Sequence, residues 1–210
     1  MPAPNHSFPN LILASSSPRR KQLLEAAGLP FSVILPDEGA ECGICSRETP
    51  PELVARLAMQ KGANVASRTA EGTILAADTV AECMGQILGK PADRQHAEQM
   101  LRLLRGRPQS VYTGVCLWSR PDNRMLLDVS RSKLRMASIN DQQLASYLDS
   151  GLWEGKAGAF GYQDEIDWIE LVEGSESNVV GLPIERLMVL IEQFDQLASI
   201  VDPHEVKPPR

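Results

Sequence analysis

Apolar residues along this chain come in short runs and helical stripes separated by polar turns, and that pattern predicts the elements in order. Leu11-Ile12-Leu13 is a brief apolar run bounded by polar residues, as a buried strand requires. Leu23, Leu24 and Ala27 then fall at helical spacing, with Ser17 as N-cap, Pro18 as first helical residue and Gly28 as stop. Phe31 to Leu35 predicts a second strand, and Pro36 to Arg47 a polar loop. Thr49-Pro50-Pro51-Glu52 is a capping box ahead of a helix, Glu52 to about Ala66, with Leu53, Val54, Leu57, Ala58 and Val65 along one face. Thr73 to Ala77 predicts a strand ending on Asp78-Thr79, followed by a hairpin of Val80–Cys83 with Ile87–Leu88. Asp93 caps a helix carrying Ala97, Met100, Leu101 and Leu104 and ending near Gly106. Ser110–Trp118 and Met125–Met136 read as strands around a turn at Arg120 to Asn123. Asn140-x-x-Gln143 caps a short helix that Gly151 stops. Asp164 to Val172 alternates in part, as a half-exposed strand does; Gly174 to Pro183 reads as a loop, and Ile184 to about Ala198 as the last helix. The tail after Val201, with three prolines and little apolar content, is expected to fray.

Irregular alternation of strands and helices with hairpins mixed in implies an α/β fold with a mixed twisted sheet flanked by helices. The length of 210 residues, 43% hydrophobic and 23% charged, suits one domain over residues 1–200 with two lobes around a cleft, and a flexible tail over 201–210. The net charge of −6 leaves no sequence-wide basic field, which argues against a nucleic-acid partner. No apolar run reaches membrane-spanning length, and the first ten residues lack the basic and apolar regions of a signal peptide, so a cytoplasmic protein is expected. Cys42 and Cys45 make one C-x-x-C, without the second pair that a zinc site needs; incidental reduced thiols fit better.

Candidate chemistry gathers at a few positions. Arg19 and Arg20 fall in the first turn of the first helix, where the dipole disfavours cations unless an anion sits among them. That stretch alone fits a phosphate site or a plain solvated helix start equally. Lys61 lies in the apolar stripe of its helix, either snorkelling outward or pointing into a cleft. Asp78, at the expected end of a strand, stands where open α/β sheets place ligand groups. Gly155 to Gln163 is small and Gly-rich, so backbone can approach a ligand there; neither standard nucleotide-binding glycine motif occurs. Several cations with one carboxylate suit a polyphosphate plus a divalent metal.

Six segments in order, Ser15–Arg20, Leu57–Lys61, Ala77–Val80, Ile87–Pro91, Lys156–Gln163 and Asn178–Pro183, resemble the successive motifs of the Maf family of nucleoside triphosphate pyrophosphatases. The resemblance runs from Leu11 to about Phe194. It implies a fold related to inosine triphosphate pyrophosphatase, and cleavage of a nucleoside triphosphate to monophosphate and pyrophosphate. A divalent metal, Mg²⁺ or Mn²⁺, and a homodimer are also implied. By position, Asp78 resembles the catalytic carboxylate; Ser15, Arg20, Lys61 and Lys90 resemble the phosphate-binding set. Arg19, Thr79 and Gln163 match the pyrimidine branch at positions tied to base selection, where a Gln amide can both donate and accept. That points to dTTP and UTP, with a modified nucleotide as the other substrate reading and a nucleotide-binding regulator of septum formation as the rival class. Lys156 is a further candidate.

Two departures stand out. The Asp-Glu pair that the family carries after its second motif is Ala40-Glu41 here, with Asp37-Glu38 upstream, so the metal-side acids are expected to be Asp78 and Glu41, with Glu38 second to Glu41. After Gln163 the family continues with glycine, where this chain has Asp164-Glu165.

Overall fold

The computed structural model describes residues 10–40, 47–164 and 166–201. Its centre is a mixed sheet in the order β2-β1-β3-β5-β6-β7, with β4 paired to β3. The strands are β1 (Leu11–Leu13), β2 (Ser32–Val33), β3 (Gly72–Cys83), β4 (Gln86–Leu88), β5 (Pro108–Arg120), β6 (Met125–Met136) and β7 (Ile169–Glu173). The helices are α1 (Pro18–Ala26), α2 (Pro50–Ala66), α3 (Arg94–Leu104), α4 (Asp141–Asp149), α5 (Glu176–Val180) and α6 (Ile184–Val201), with a 3₁₀ turn at Ala157–Ala159. β1 runs parallel to both its neighbours, and the other pairings are antiparallel. Among the described residues no helix is long and apolar enough to cross a membrane.

The helix starts follow their capping chemistry. Glu52 accepts from the Thr49 backbone N–H at 2.8 Å, and Asn140 and Gln143 exchange side chain–backbone bonds at 2.9 Å each. Ser17 and Asp93 accept from Arg20 N and His96 N.

β1 is apolar throughout because both faces of the sheet are covered. Ile12, Ala14, Ile74, Ala76 and Cys116 pack on the α2 side, while Leu11, Leu13, Leu75, Ala77, Val115 and Leu117 pack with Leu24 of α1 and with Leu187, Ile191 and Phe194 of α6. Further along β3, odd-numbered Ala81 and Cys83 join a separate core with Met100 and Leu104 of α3 and Leu144 and Leu148 of α4. The odd face is therefore split between two helical layers.

β3 differs from the expectation. It does not end at Asp78: its pairing with β5 continues through Asp78↔Gly114 and Thr79↔Thr113 to Glu82↔Ser110. What changes at Asp78 is the other edge. β1 leaves after Leu13↔Leu75, and β4 arrives only at Ala81↔Leu88. The shift from apolar to polar sequence that looked like a strand end marks this gap in pairing. Three other boundaries move. The second strand shrinks to two residues because β1 offers only a short edge. β7 starts at Ile169, since 164 belongs to the cleft rim. The expected loop after Gly174 holds the short helix α5, capped by Ser175.

Candidate functional site

The gap between β1 and β4 opens into a cleft of about 470 Å³, within the range of small-molecule sites. Its walls include Ser15, Arg19, Arg20, Lys61, Asp78, Thr79, Lys90, Lys156 and Gln163. These nine come from five separate stretches of sequence, and the fold brings all of them to one cavity. Glu41, the remaining expected site residue, lies outside the described residues, as do Cys42 and Cys45.

Strand alternation explains how the floor is wired. Asp78 and Thr79 are neighbours in β3, so their side chains leave opposite faces. Asp78, on the α2 side, accepts from Lys61 Nζ through Oδ1 at 2.6 Å. Lys61 also donates to Ala77 O at 3.4 Å, a carbonyl on the unpaired edge of β3. Lys61 is only 8% exposed, so it does not snorkel. Burying an ammonium costs several kcal/mol unless a carboxylate meets it, and Asp78 is that carboxylate. The helix reaches this close because residue 114, opposite Asp78, is glycine: a Cβ there would lie 2.3 Å from Val54 O.

Thr79 faces α1. Its Oγ1 accepts from Arg20 Nη2 at 3.1 Å, while Arg20 Nε donates to Gly181 O at 2.8 Å and Nη1 to Ser15 Oγ at 3.2 Å. Ser15 and Arg20 are buried at 6% and 8% exposure. The cation that the helix dipole disfavours is thus held beside the start of α1 by three acceptors from three separate stretches of the chain.

The other end is built on the segment between α4 and β7. Lys156 Nζ contacts both carboxylate oxygens of Asp164 at 2.5 Å, and Asp164 Oδ2 accepts from Tyr147 OH at 2.9 Å. Tyr147 OH in turn accepts from Gly161 N at 3.2 Å. Burial, then the Asp164 carboxylate, pushes the Tyr147 phenol well above its ordinary pKa. Arg19 Nη2 donates to Gly155 O at 3.2 Å. Burial lowers the Arg19 pKa, and Asp164 and Tyr147 oppose that shift. Gln163 and Lys90 are exposed at the mouth. Gly158 N donates to Gly89 O at 3.0 Å, tying this segment to the stretch that carries Lys90.

For a metal, the described residues offer no group of three His, Cys, Asp or Glu. Asp78 still fits one. Among the described residues only Lys61 donates to it, through Oδ1, and a magnesium-like cation commonly takes one or two carboxylates together with substrate phosphates. Of the loop after β2, Asp37 rather than Glu38 lines the cleft, but Asp37 is occupied by Asn64 and Arg68.

Sequence reasoning missed three contributors: Tyr147, Thr113, which is fully buried behind Thr79, and the carbonyl of Gly181. The first carries no local motif. Thr113 lies in no motif segment either, and it meets Thr79 only through the pairing of β3 with β5. Gly181 lies inside the last motif segment, but the partner of its carbonyl is set by the turn that ends α5.

A cationic cleft with a lysine-held carboxylate on its floor, at the point where a mixed sheet loses one strand partner, suits a phosphorylated ligand. The chain belongs to the Maf-like protein family, whose model matches residues 10–194. It is 60% identical over 200 residues to a dTTP/UTP pyrophosphatase of Rhodopirellula baltica, covering 93% of this chain and 88% of that one. A dTTP/UTP pyrophosphatase of Geotalea uraniireducens is 39% identical over 176 residues, 83% of this chain and 90% of the relative. The fold is shared with the Ham1 protein of Staphylococcus aureus at a TM-score of 0.53, with 14% identity, over 90% of this chain and all of that one.

Proposed function

We propose that this protein hydrolyses nucleoside triphosphates between the α and β phosphates, releasing a nucleoside monophosphate and pyrophosphate, with dTTP and UTP as substrates. The convergence of Asp78, Lys61, Arg20 and Lys90 on one cleft carries the reading. Arg20, Lys61 and Lys90 supply positive charge for the polyphosphate, and Ser15 adds a hydroxyl beside Arg20. Asp78 is the group placed to take the proton of an attacking water, as a positioned carboxylate does in such hydrolyses. Asp78 and Glu41 would hold a divalent cation, Mg²⁺ or Mn²⁺. When bound, such an ion neutralises phosphate oxygens and acidifies water. Arg19 and Gln163 stand at the end away from Lys61 and address the base. That the relatives are dTTP/UTP pyrophosphatases supports the pyrimidine assignment. A cytoplasmic homodimer completes the reading, with a free nucleotide rather than a nucleic acid as ligand.

The test is a nucleotide panel with Mg²⁺ or Mn²⁺, following products. Monophosphate and pyrophosphate from dTTP and UTP are expected. Orthophosphate release, or no turnover of any triphosphate, overturns the reading.

A further inference from the structure

We propose that Thr79 is a positioning residue: it fixes the Arg20 guanidinium that clamps phosphate, and it influences the base only through that clamp. This rests on reading the cleft as a triphosphate site.

A proton inventory carries the argument. A threonine hydroxyl has one proton and two lone pairs. Thr113 Oγ1 donates to Asn178 O at 3.1 Å, and a carbonyl can only accept, so the one Thr113 proton is committed. Thr113 Oγ1 lies 3.0 Å from Thr79 Oγ1, and Thr79 must be the donor of that pair. Among the described residues, the other acceptor within reach of Thr79 is Gly181 O at 3.5 Å, which also lies inside the protein. Either way the Thr79 proton points inward, and a lone pair of the same oxygen receives Arg20 Nη2. The carbonyl oxygens of a pyrimidine need donors, and the Thr79 hydroxyl has none to offer.

The surroundings are built for this arrangement. Thr113 is fully buried and pairs with Thr79 across β3 and β5, so the acceptor for Thr79 is fixed by sheet register. Gly181, at φ 121°, brings its carbonyl to Arg20 Nε; a Cβ there would lie 3.3 Å from Thr79 Oγ1. With Ser15 on Nη1, each of the three guanidinium nitrogens has a fixed acceptor, which sets the plane of the group. A planar fork recognises phosphate only when its orientation is right.

Thr79→Val removes the hydroxyl and keeps the shape. Its kcat/KM is measured for dTTP, UTP, CTP and GTP, and its affinity for inorganic tripolyphosphate, which has no base, by titration calorimetry. Expected is a loss of about 10-fold for every triphosphate, with substrate ratios held within about 2-fold. Tripolyphosphate affinity should fall by a similar factor, and Thr79→Ser should restore most of it. Thr79→Ala must repeat the pattern, which covers a valine variant that fails to fold. Unchanged tripolyphosphate binding with a shifted dTTP/GTP ratio overturns the proposal, as does a variant with wild-type values throughout. Wild-type protein that neither turns over a triphosphate nor binds tripolyphosphate overturns the parent reading instead.

Discussion

At the Arg20–Asp78 end of the cleft the charged groups stand on helices and a strand, whereas at the Arg19–Asp164 end most polar groups stand on irregular chain. The first end takes Arg20 from α1, Lys61 from α2 and Asp78 from β3, and all three are held by bonds to residues far away in sequence. The second is a segment, residues 155–164, drawn together by one internal ion pair and one tyrosine. A triphosphate is common to every substrate, so geometry fixed by regular structure suits it. A base differs between substrates, and a segment that can be altered without touching the sheet suits that task.

The largest expected effect lies at the rigid end. Asp78→Asn keeps size and one acceptor but removes the charge. Turnover should fall by at least about 100-fold, the scale of losing a positioned general base. Triphosphate binding should survive, because Arg20, Lys61 and Lys90 still stand around the site. Lys90→Ala should cost less, about 10- to 100-fold in kcat/KM, and it should weaken binding as well as rate. Steady-state kinetics with direct binding of tripolyphosphate separates the two. Near-normal turnover in a folded Asp78→Asn protein would move the catalytic carboxylate elsewhere, with Glu41 next.

A smaller effect is expected at the other end, and it sharpens the contrast. Asp164→Asn leaves Tyr147 an acceptor but strips Lys156 of its counter-ion at a side chain only 12% exposed. Losing a charge-assisted bond of about 1.5–3 kcal/mol should lower Tm by about 5 °C in a chain this size. Selectivity between dTTP and GTP should shift a few-fold while tripolyphosphate affinity holds. If tripolyphosphate affinity falls instead, the two ends are not independent.

Local chemistry was legible in the sequence wherever it is written over three or four residues. The caps at Ser17, Thr49, Asp93 and Asn140 each start a helix, and the family motifs named the nine residues that meet in the cleft. Long-range chemistry was not. Lys61 could be read as outward or inward until the gap beside β3 showed what it faces. Asp78 looked like a strand end because sequence shows the loss of apolar character but not which edge of a strand has lost its neighbour. Asp164 stood out only as a departure from the family's glycine, yet its charge is answered by Lys156 eight residues earlier, across a turn whose path no periodicity predicts. The same pairing bears on Lys156, a cleft-lining residue whose ammonium is engaged by Asp164.

The smallest effect concerns Tyr147, and pH reveals it. Its phenol is held neutral by burial and by Asp164, so its folded pKa lies above the ordinary value of about 10. A raised pKa gives stability that is fully present below the ordinary value and is lost as pH climbs through it toward the folded one, because the unfolded chain releases its proton first. Cys116, pushed up to about 12 by burial, adds a loss of the same sign starting near its ordinary value of about 8.5–9. Tyr147→Phe keeps the ring that meets Trp168 edge-on and deletes the bonds to Asp164 and from Gly161. At pH 7 it should cost about 1 kcal/mol, or roughly 2–4 °C in Tm. Between pH 9 and 10.5 the variant should lose stability less steeply than wild type, since one titrating group is gone while Cys116 remains. The two Tm curves should therefore converge as pH rises; parallel curves would show that the Tyr147 proton is not held by the fold.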